Sequence, residues 1–266
     1  MPSVSNAWGG AAETLEMSTA DFALSQLATA AGKKSTAADS RQTRPVVAEQ
    51  LQHRRRPTGG YIANRKADGS WVTGFTPGTG NGFASRAAAA QYTWMVQSTT
   101  RRASSRRWAA PTRPLARLDS FFHEADGSWA FTGSGGDKSE LDNEPSVNVP
   151  YLYDYAGAPY KTQETVRAAM KQLWTTDPAG IPGNDDLGEM SSWYVFSALR
   201  HVPPGPLPRR NSPSPHRCSS ASRSGARTAT TSPSTRRARR LDAPYIQSLK
   251  VNGTASDRPL ALPPRS

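Results

Sequence analysis

Ten arginines fall between residues 200 and 240 with no lysine and no acidic residue among them. The rest of that stretch is mostly Ser, Pro, Ala, Gly and Thr, with almost no aliphatic residue in any periodic order. Such a segment buries too little apolar surface to offset the entropy of ordering its backbone, and the composition predicts disorder. Two shorter runs share its character: residues 41–56 net +4 and residues 97–114 net +5, with Arg86 between them. The whole chain carries +12, so without these basic runs the remainder nets −8. The pI of about 10.2 therefore belongs to the inserts, and what lies between them has the charge of an ordinary acidic globular protein. A basic, largely disordered nucleic-acid-binding protein is the alternative class of function. No aromatic side chains are interleaved with the arginines of 200–240 to stack on bases, so no specific nucleic-acid partner is expected.

Between the inserts, apolar residues recur at helical spacing. Residues 11–31 place Leu15, Ala20, Ala23, Leu24, Leu27, Ala28 and Ala31 in one stripe that ends at Gly32. Residues 116–122 form a short helix, and Asp126-Gly127-Ser128 is a turn. Residues 141–160, with Pro145, Pro150 and Pro159, read mostly as loop with one helical turn. Thr162 is placed to cap a helix whose buried face is Val166, Ala169, Met170, Leu173 and Trp174. After a turn at 177–180, a last helix starts near Asp185 or Asp186 and carries Met190, Trp193, Tyr194 and Ser197 on one side. Strand signals are few, and residues 61–75 suggest a small hairpin. Helix follows helix, which predicts a mostly α fold.

One cysteine, Cys218, excludes a disulfide framework and a cysteine-based zinc site. No run of about 18 apolar residues is present, so no membrane span is expected, and residues 1–10 lack the features of a secretory signal.

Two loops concentrate polar chemistry. In Asp142-Asn143-Glu144-Pro145, followed by the aromatics Tyr151 and Tyr153, carboxylate and amide oxygens suit both sugar hydroxyls and hard cations. The same residues also make an ordinary capped loop with aromatic packing. In Gly183-Asn184-Asp185-Asp186-Leu187-Gly188, two adjacent carboxylates at a helix start serve either as N-terminal caps or as a catalytic base with a partner that tunes it.

The runs 142–167 (DNEPSVNVPYLYDYAGAPYKTQETVR) and 183–199 (GNDDLGEMSSWYVFSAL) closely resemble glycoside hydrolase family 92, calcium-dependent exo-acting α-mannosidases. The segments 13–16, 91–96 and 244–249 add to the resemblance, which takes in about half of the chain in the family's order. It implies a partial (α/α)6 barrel over residues 1–199, with 41–56 and 97–114 irregular, then a disordered segment 200–240 and a C-terminal remnant 241–266. The family's N-terminal β-sandwich has no counterpart here, so a fragment is expected. It further implies inversion at the anomeric carbon of α-mannoside glycans, with calcium helping to bind and distort the mannose. Asp185 and Asp186 occupy the base motif. Asn143 and Glu144 line the sugar or calcium site, with Glu144 the candidate metal ligand, and Trp94 or Tyr92 stands on the same rim as a hydrophobic wall. The resemblance implies a secreted or periplasmic parent, while the lack of a signal over residues 1–10 leaves the location of this chain open, the cytoplasm included.

The chain departs from the family at the general acid, whose position five residues before Gln91 is Arg86 here. A displaced reading frame accounts for this and for the basic runs together. In GC-rich codons, Val-Glu-Gly-Asn read one base out of phase gives Ala-Ser-Arg-Ala, the sequence of residues 84–87. Family-like stretches are recoverable in the same way under residues 104–110 and 200–203. The gene's nucleotide sequence provides the check: restoring one frame across 84–115 and 200–241 is expected to regenerate the family's motifs, the catalytic glutamate among them.

Overall fold

Gly32 ends the first helix by a mechanism that the sequence announces. In the computed structural model it takes φ of 72°, and the two N–H groups that follow turn back into the helix. Gly32 donates to Thr29 O at 3.2 Å and Lys33 to Ala28 O at 2.8 Å. This is the Schellman closure, which satisfies carbonyls that a helix end otherwise leaves without partners. The structure describes residues 10–39, 61–62, 70, 73–74, 76–78, 90–94, 112–132, 136–199, 245–246, 248–251 and 254–256. The runs 41–56 and 200–240, most of 97–114 and most of the expected 61–75 hairpin lie outside these residues. Residues 112–114, expected to be irregular, belong to a helix.

The described residues are mostly helical and divide into two units, the first running to Val149 and the second beginning at Pro150. In the first, α1 (Gly10–Ala30) is followed by α2 (Lys34–Asp39), which packs on it through the buried Ala37. The buried side of α1 is Ala12, Leu15, Ser25 and Ala28. Leu24 and Leu27, expected in the core stripe, are 45% and 67% exposed. The reason is compositional: α1 carries Ala, Leu and Met around its circumference, so its period does not select one face.

Helix α3 (Thr112–Phe122) is strongly amphipathic and buries Leu118, Phe121 and Phe122, the two phenyl rings meeting edge to face at 5.2 Å. Beyond it the chain turns at 126–128, where Asp126 Oδ1 accepts from both the N–H and the hydroxyl of Ser128. It returns through the bridges His123–Trp129 and Thr132–Glu140. This return delivers Leu141 to Phe131 O and brings the chain to Asn143. Residues 144–155 are more helical than the sequence suggested, with α4 (Glu144–Val147), a 3₁₀ turn (Val149–Tyr151) and α5 (Leu152–Tyr155) in succession.

In the second unit, α6 (Pro159–Leu173) begins at Pro159, whose fixed φ and missing N–H suit a first helical position. Thr162 is thus inside the first turn rather than its cap, and its hydroxyl donates to Pro150 O at 3.1 Å. Thr162, Thr165, Val166 and Ala169 are buried along α6. Helix α7 (Glu189–Leu199) buries Met190, Trp193 and Ser197, while Tyr194 is 38% exposed. Ser197 Oγ lies 2.8 Å from the Tyr151 hydroxyl, and Trp193 stacks on Trp174 at 4.9 Å. Strands β1 (Leu249–Val251) and β2 (Thr254–Ser256) pair antiparallel, Lys250 facing Ala255. The residues between them are Asn252 and Gly253, the dipeptide that favours tight hairpins.

The face of α1 is open to test by paired substitutions. Leu15→Ala is expected to cost about 2–5 kcal/mol, as for a buried leucine. Leu27→Ala is expected to stay within about 0.5 kcal/mol of the unsubstituted chain. Urea unfolding with equal losses at both positions would contradict the observed face.

Candidate active site

Residues 90–94 are helical, and Gln91, Tyr92, Thr93 and Trp94 are all buried. Each of the first three polar groups has a distant partner within the first unit. Gln91 Nε2 donates to Lys138 O at 2.6 Å, Tyr92 donates to Glu16 Oε1 at 2.8 Å, and Thr93 Oγ1 accepts from Ile62 N at 2.8 Å. Trp94 is 1% exposed, with its ring 6.0 Å from Phe121 and 5.4 Å from the Arg117 guanidinium carbon. Its Nε1 and the Arg117 Nη2 have no hydrogen-bond partner among the described residues. Arg117 also lies 4.3 Å over the Tyr61 ring. The structure therefore encloses the indole expected as a wall, and the indole Nε1 is its unsatisfied polar atom.

Asn143 and Glu144 stand at the entry to α4. Asn143 has extended dihedrals and does not cap the helix with its side chain. Its Nδ2 reaches the buried Glu140 Oε2 at 3.4 Å, while its carbonyl accepts from Ser146 N. The Ser146 hydroxyl in turn accepts from Glu140 N at 3.2 Å. Glu140, buried and tied to both neighbours, fixes the loop and presents Glu144 half-buried at the helix start. Among the described residues, no group of three or more His, Cys, Asp or Glu side chains is placed to hold a metal ion.

Asp185 and Asp186 lie in the second unit, and the structure separates their roles. Helix α7 starts at Glu189 rather than at the aspartates, because residues 186–188 all take positive φ. Asp186 has φ of 43°, Leu187 58° and Gly188 90°. Aspartate tolerates this region and glycine occupies it freely, but a leucine there is strained. Such strain, of order 1–3 kcal/mol, collects at functional sites. Leu187 is fully exposed, so no burial compensates it. The turn allows Asp185 to reach back over the helix end: its Oδ1 accepts from Ser191 N at 2.9 Å, and its carbonyl accepts from Gly188 and Met190 N. Asp185 is a cap. The exposed Asp186 carboxylate has no hydrogen-bond partner among the described residues and is available to a ligand.

The sequence singled out segments 13–16 and 91–96 without assigning a role to Glu16 and with Tyr92 only as an alternative to Trp94 for the wall. The hydrogen bond between Glu16 and Tyr92 links residues far apart in the chain, which no local pattern announces. Arg86, at the position where the resemblance puts the family's acid, lies outside the described residues.

The chain matches the glycosyl hydrolase family 92 catalytic domain across residues 1–263. A stretch of 63 residues is 35% identical to an uncharacterized secreted glycosidase of Arthroderma benhamiae, covering 24% of this chain and 8% of that protein. The fold is similar to that of a family 92 α-mannosidase from Bacteroides thetaiotaomicron, with a TM-score of 0.73 and 26% identity over 93% of this chain and 32% of that one. That enzyme has also been solved in complex with mannoimidazole. A family 92 inverting mannosidase from the same species gives a TM-score of 0.71 at 25% identity, over 94% of this chain and 35% of that one. The chain thus spans about a third of the length of these solved structures.

Two measurements test the local chemistry. Asp185→Ala is expected to cost about 0.5–2 kcal/mol, the usual loss for a helix cap. Asp186→Asn, which keeps a residue tolerant of positive φ, is expected to change stability by less than about 0.5 kcal/mol. The second test is alkaline. Burial, then the Glu16 hydrogen bond and the charges of Glu16 and Glu144, hold the Tyr92 phenol well above the ordinary tyrosine value. The folded state therefore retains a proton that the unfolded chain releases near pH 10. The stabilisation is full below that pH and declines above it, so Tyr92→Phe is expected to make alkaline unfolding less steep.

Proposed function

Because the chain belongs to glycosyl hydrolase family 92, we propose that it is a piece of an inverting exo-α-mannosidase acting on the α-mannosidic bonds of glycans, and that the chain as written is impaired in catalysis. The likeness to two mannosidases over more than nine-tenths of the chain carries this reading. Residues 1–199 are the later part of an (α/α)6 barrel, 200–240 a displaced-frame segment and 241–266 a remnant of the domain's end. The parent protein works outside the cytoplasm, in keeping with the secreted glycosidase that it resembles.

Inversion requires an acid to protonate the leaving oxygen and a base to activate water on the opposite face of the sugar. We assign the base to Asp186, whose carboxylate is exposed and unengaged, and assign Asp185 to holding the turn that presents it. Backbone strain at Leu187, next to Asp186, supports the assignment, since a turn needed only for capping has no reason to carry it. Asn143 and Glu144 bind mannose hydroxyls, the carboxylate forming the stronger, charge-assisted bond. Trp94 walls the sugar site, and its Nε1 is a buried donor without a hydrogen-bond partner among the described residues.

Calcium takes six to eight hard oxygen donors. Glu144 and the carbonyl oxygen of Asn143 fit it in kind, because the Asn143 amide nitrogen is already directed to Glu140. They supply part of a shell, which waters and sugar hydroxyls would complete. When bound, calcium would polarise those hydroxyls and favour the distorted ring.

Loss of the acid predicts a specific kinetic pattern. Proton donation contributes about 10²–10⁴-fold to such reactions, so nitrophenyl α-mannosides and disaccharides are expected to be cleaved at no more than trace rates. A dinitrophenyl α-mannoside, whose leaving group needs no proton, is expected to be cleaved measurably. Asp186→Asn should abolish that residual rate, and a calcium chelator should reduce it. Brisk cleavage of unactivated mannosides would show that another group supplies the proton.

A further inference from the structure

Arg117 and Phe121 stand one helical turn apart on α3, on the same strip of its surface, and both meet Trp94. The Phe121 ring lies 6.0 Å from the indole, and the Arg117 Cζ lies 5.4 Å from its centre. The same guanidinium is 4.3 Å over the Tyr61 ring. At this contact two donors are left over. Arg117 Nη2 and Trp94 Nε1 are both shut off from solvent, and neither has an acceptor among the described residues. The guanidinium has no ion-pair partner among them either. A buried donor without an acceptor is costly, and a charged one more so. Two of them at one contact, one cationic, match an acceptor that brings negative charge.

We propose that Arg117 and the Trp94 Nε1 form a binding site for a carboxylate, each donor taking one oxygen. The charge of Arg117 selects an anion. The two buried donors equal in number the oxygens of a carboxylate, whereas a phosphate or sulfate would bury oxygens with too few donors to satisfy them. The aromatic rings beside the guanidinium favour a planar group lying in line with its fork. A small free acid and the side chain of an Asp or Glu brought to the site supply the same chemistry. The site stands apart from the mannose reading, since it uses neither Asp186 nor Asn143 nor Glu144, and a sugar wall needs the indole ring rather than its N–H.

The experiment follows the Trp94 Nε1–H resonance in the ¹⁵N-labelled full chain, assigned by its loss in Trp94→Phe. Formate is the first probe, titrated at constant ionic strength beside chloride and sulfate. The resonance should move and saturate with a Kd of roughly 1–10 mM, near the ceiling for a ligand of about three heavy atoms. Chloride and sulfate should act at least about tenfold more weakly. N-acetylglutamic acid α-amide, whose one carboxylate is a side chain, separates the two sources: a response to it as well as to formate means that a protein carboxylate reaches the site, and a response to formate alone means a small free acid.

Arg117→Lys, which keeps the charge and loses the fork, should weaken formate by about tenfold or more, with circular dichroism confirming helix content. If that variant does not fold, the titration of the unsubstituted chain decides by itself. A Trp94 resonance unmoved by formate, as a water held between the donors would leave it, overturns the proposal. So does an equal response to chloride or sulfate, or an unchanged formate affinity in a folded Arg117→Lys.

Discussion

Lys138 holds three segments of the first unit together. Its ammonium donates to the carbonyls of Ser120 and His123 at 2.8 Å each, at the C-terminal end of α3. A cation at that end satisfies carbonyls without helical partners and complements the helix dipole. Its own carbonyl accepts from Gln91, so the helical segment 90–94 is fixed to the same point. From there the chain passes through Ser139, which bonds to Phe121 O, and Leu141, which bonds to Phe131 O, into the Asn143–Glu144 loop. The candidate binding residues thus inherit their position from a backbone network anchored by one half-buried side chain. Breaking it would loosen Tyr92 and Glu144 together.

The second unit solves the corresponding problem with a different device. A helix start leaves four N–H groups without partners. Asp185 satisfies that of Ser191 through its side chain and that of Met190 through its carbonyl, from a loop of positive-φ residues rather than from the adjoining position. The consequence is a division of labour between neighbours. One aspartate is committed to the helix, and the next is exposed, its carboxylate without a hydrogen-bond partner among the described residues. Adjacent carboxylates that look equivalent in sequence become chemically distinct because the backbone reverses between them.

Much of the helical content was legible from residue patterns. The stop at Gly32, the turns at 126–128 and 177–180, and α3, α6 and α7 follow from local rules of periodicity and turn chemistry. Where those rules failed, the causes are physical. Helix α1 has apolar residues on all sides, so only tertiary packing chose Leu15 over Leu27 for burial. Pro159 outranked Thr162 as the start of α6 because proline suits a first helical position and the Thr162 hydroxyl found Pro150 O instead. The short helices between 144 and 155 form despite two prolines, each of which sits where its missing N–H does no harm.

For the site, the motifs named the family and picked out Asn143, Glu144, Asp185 and Asp186 as candidates, polar groups held in capped or strained loops, as the proposed chemistry requires. Residue identity and local order suffice for that much, since turns, caps and motif spacing are properties of short segments. The sequence did not distinguish the capping aspartate from the free one, enclose Trp94, or connect Glu16 to Tyr92. Those features depend on which groups meet across long stretches of chain and on which backbone angles the packed structure enforces. Only the tertiary structure decides them, because burial and long-range hydrogen bonding are properties of the assembled fold and not of any window of residues.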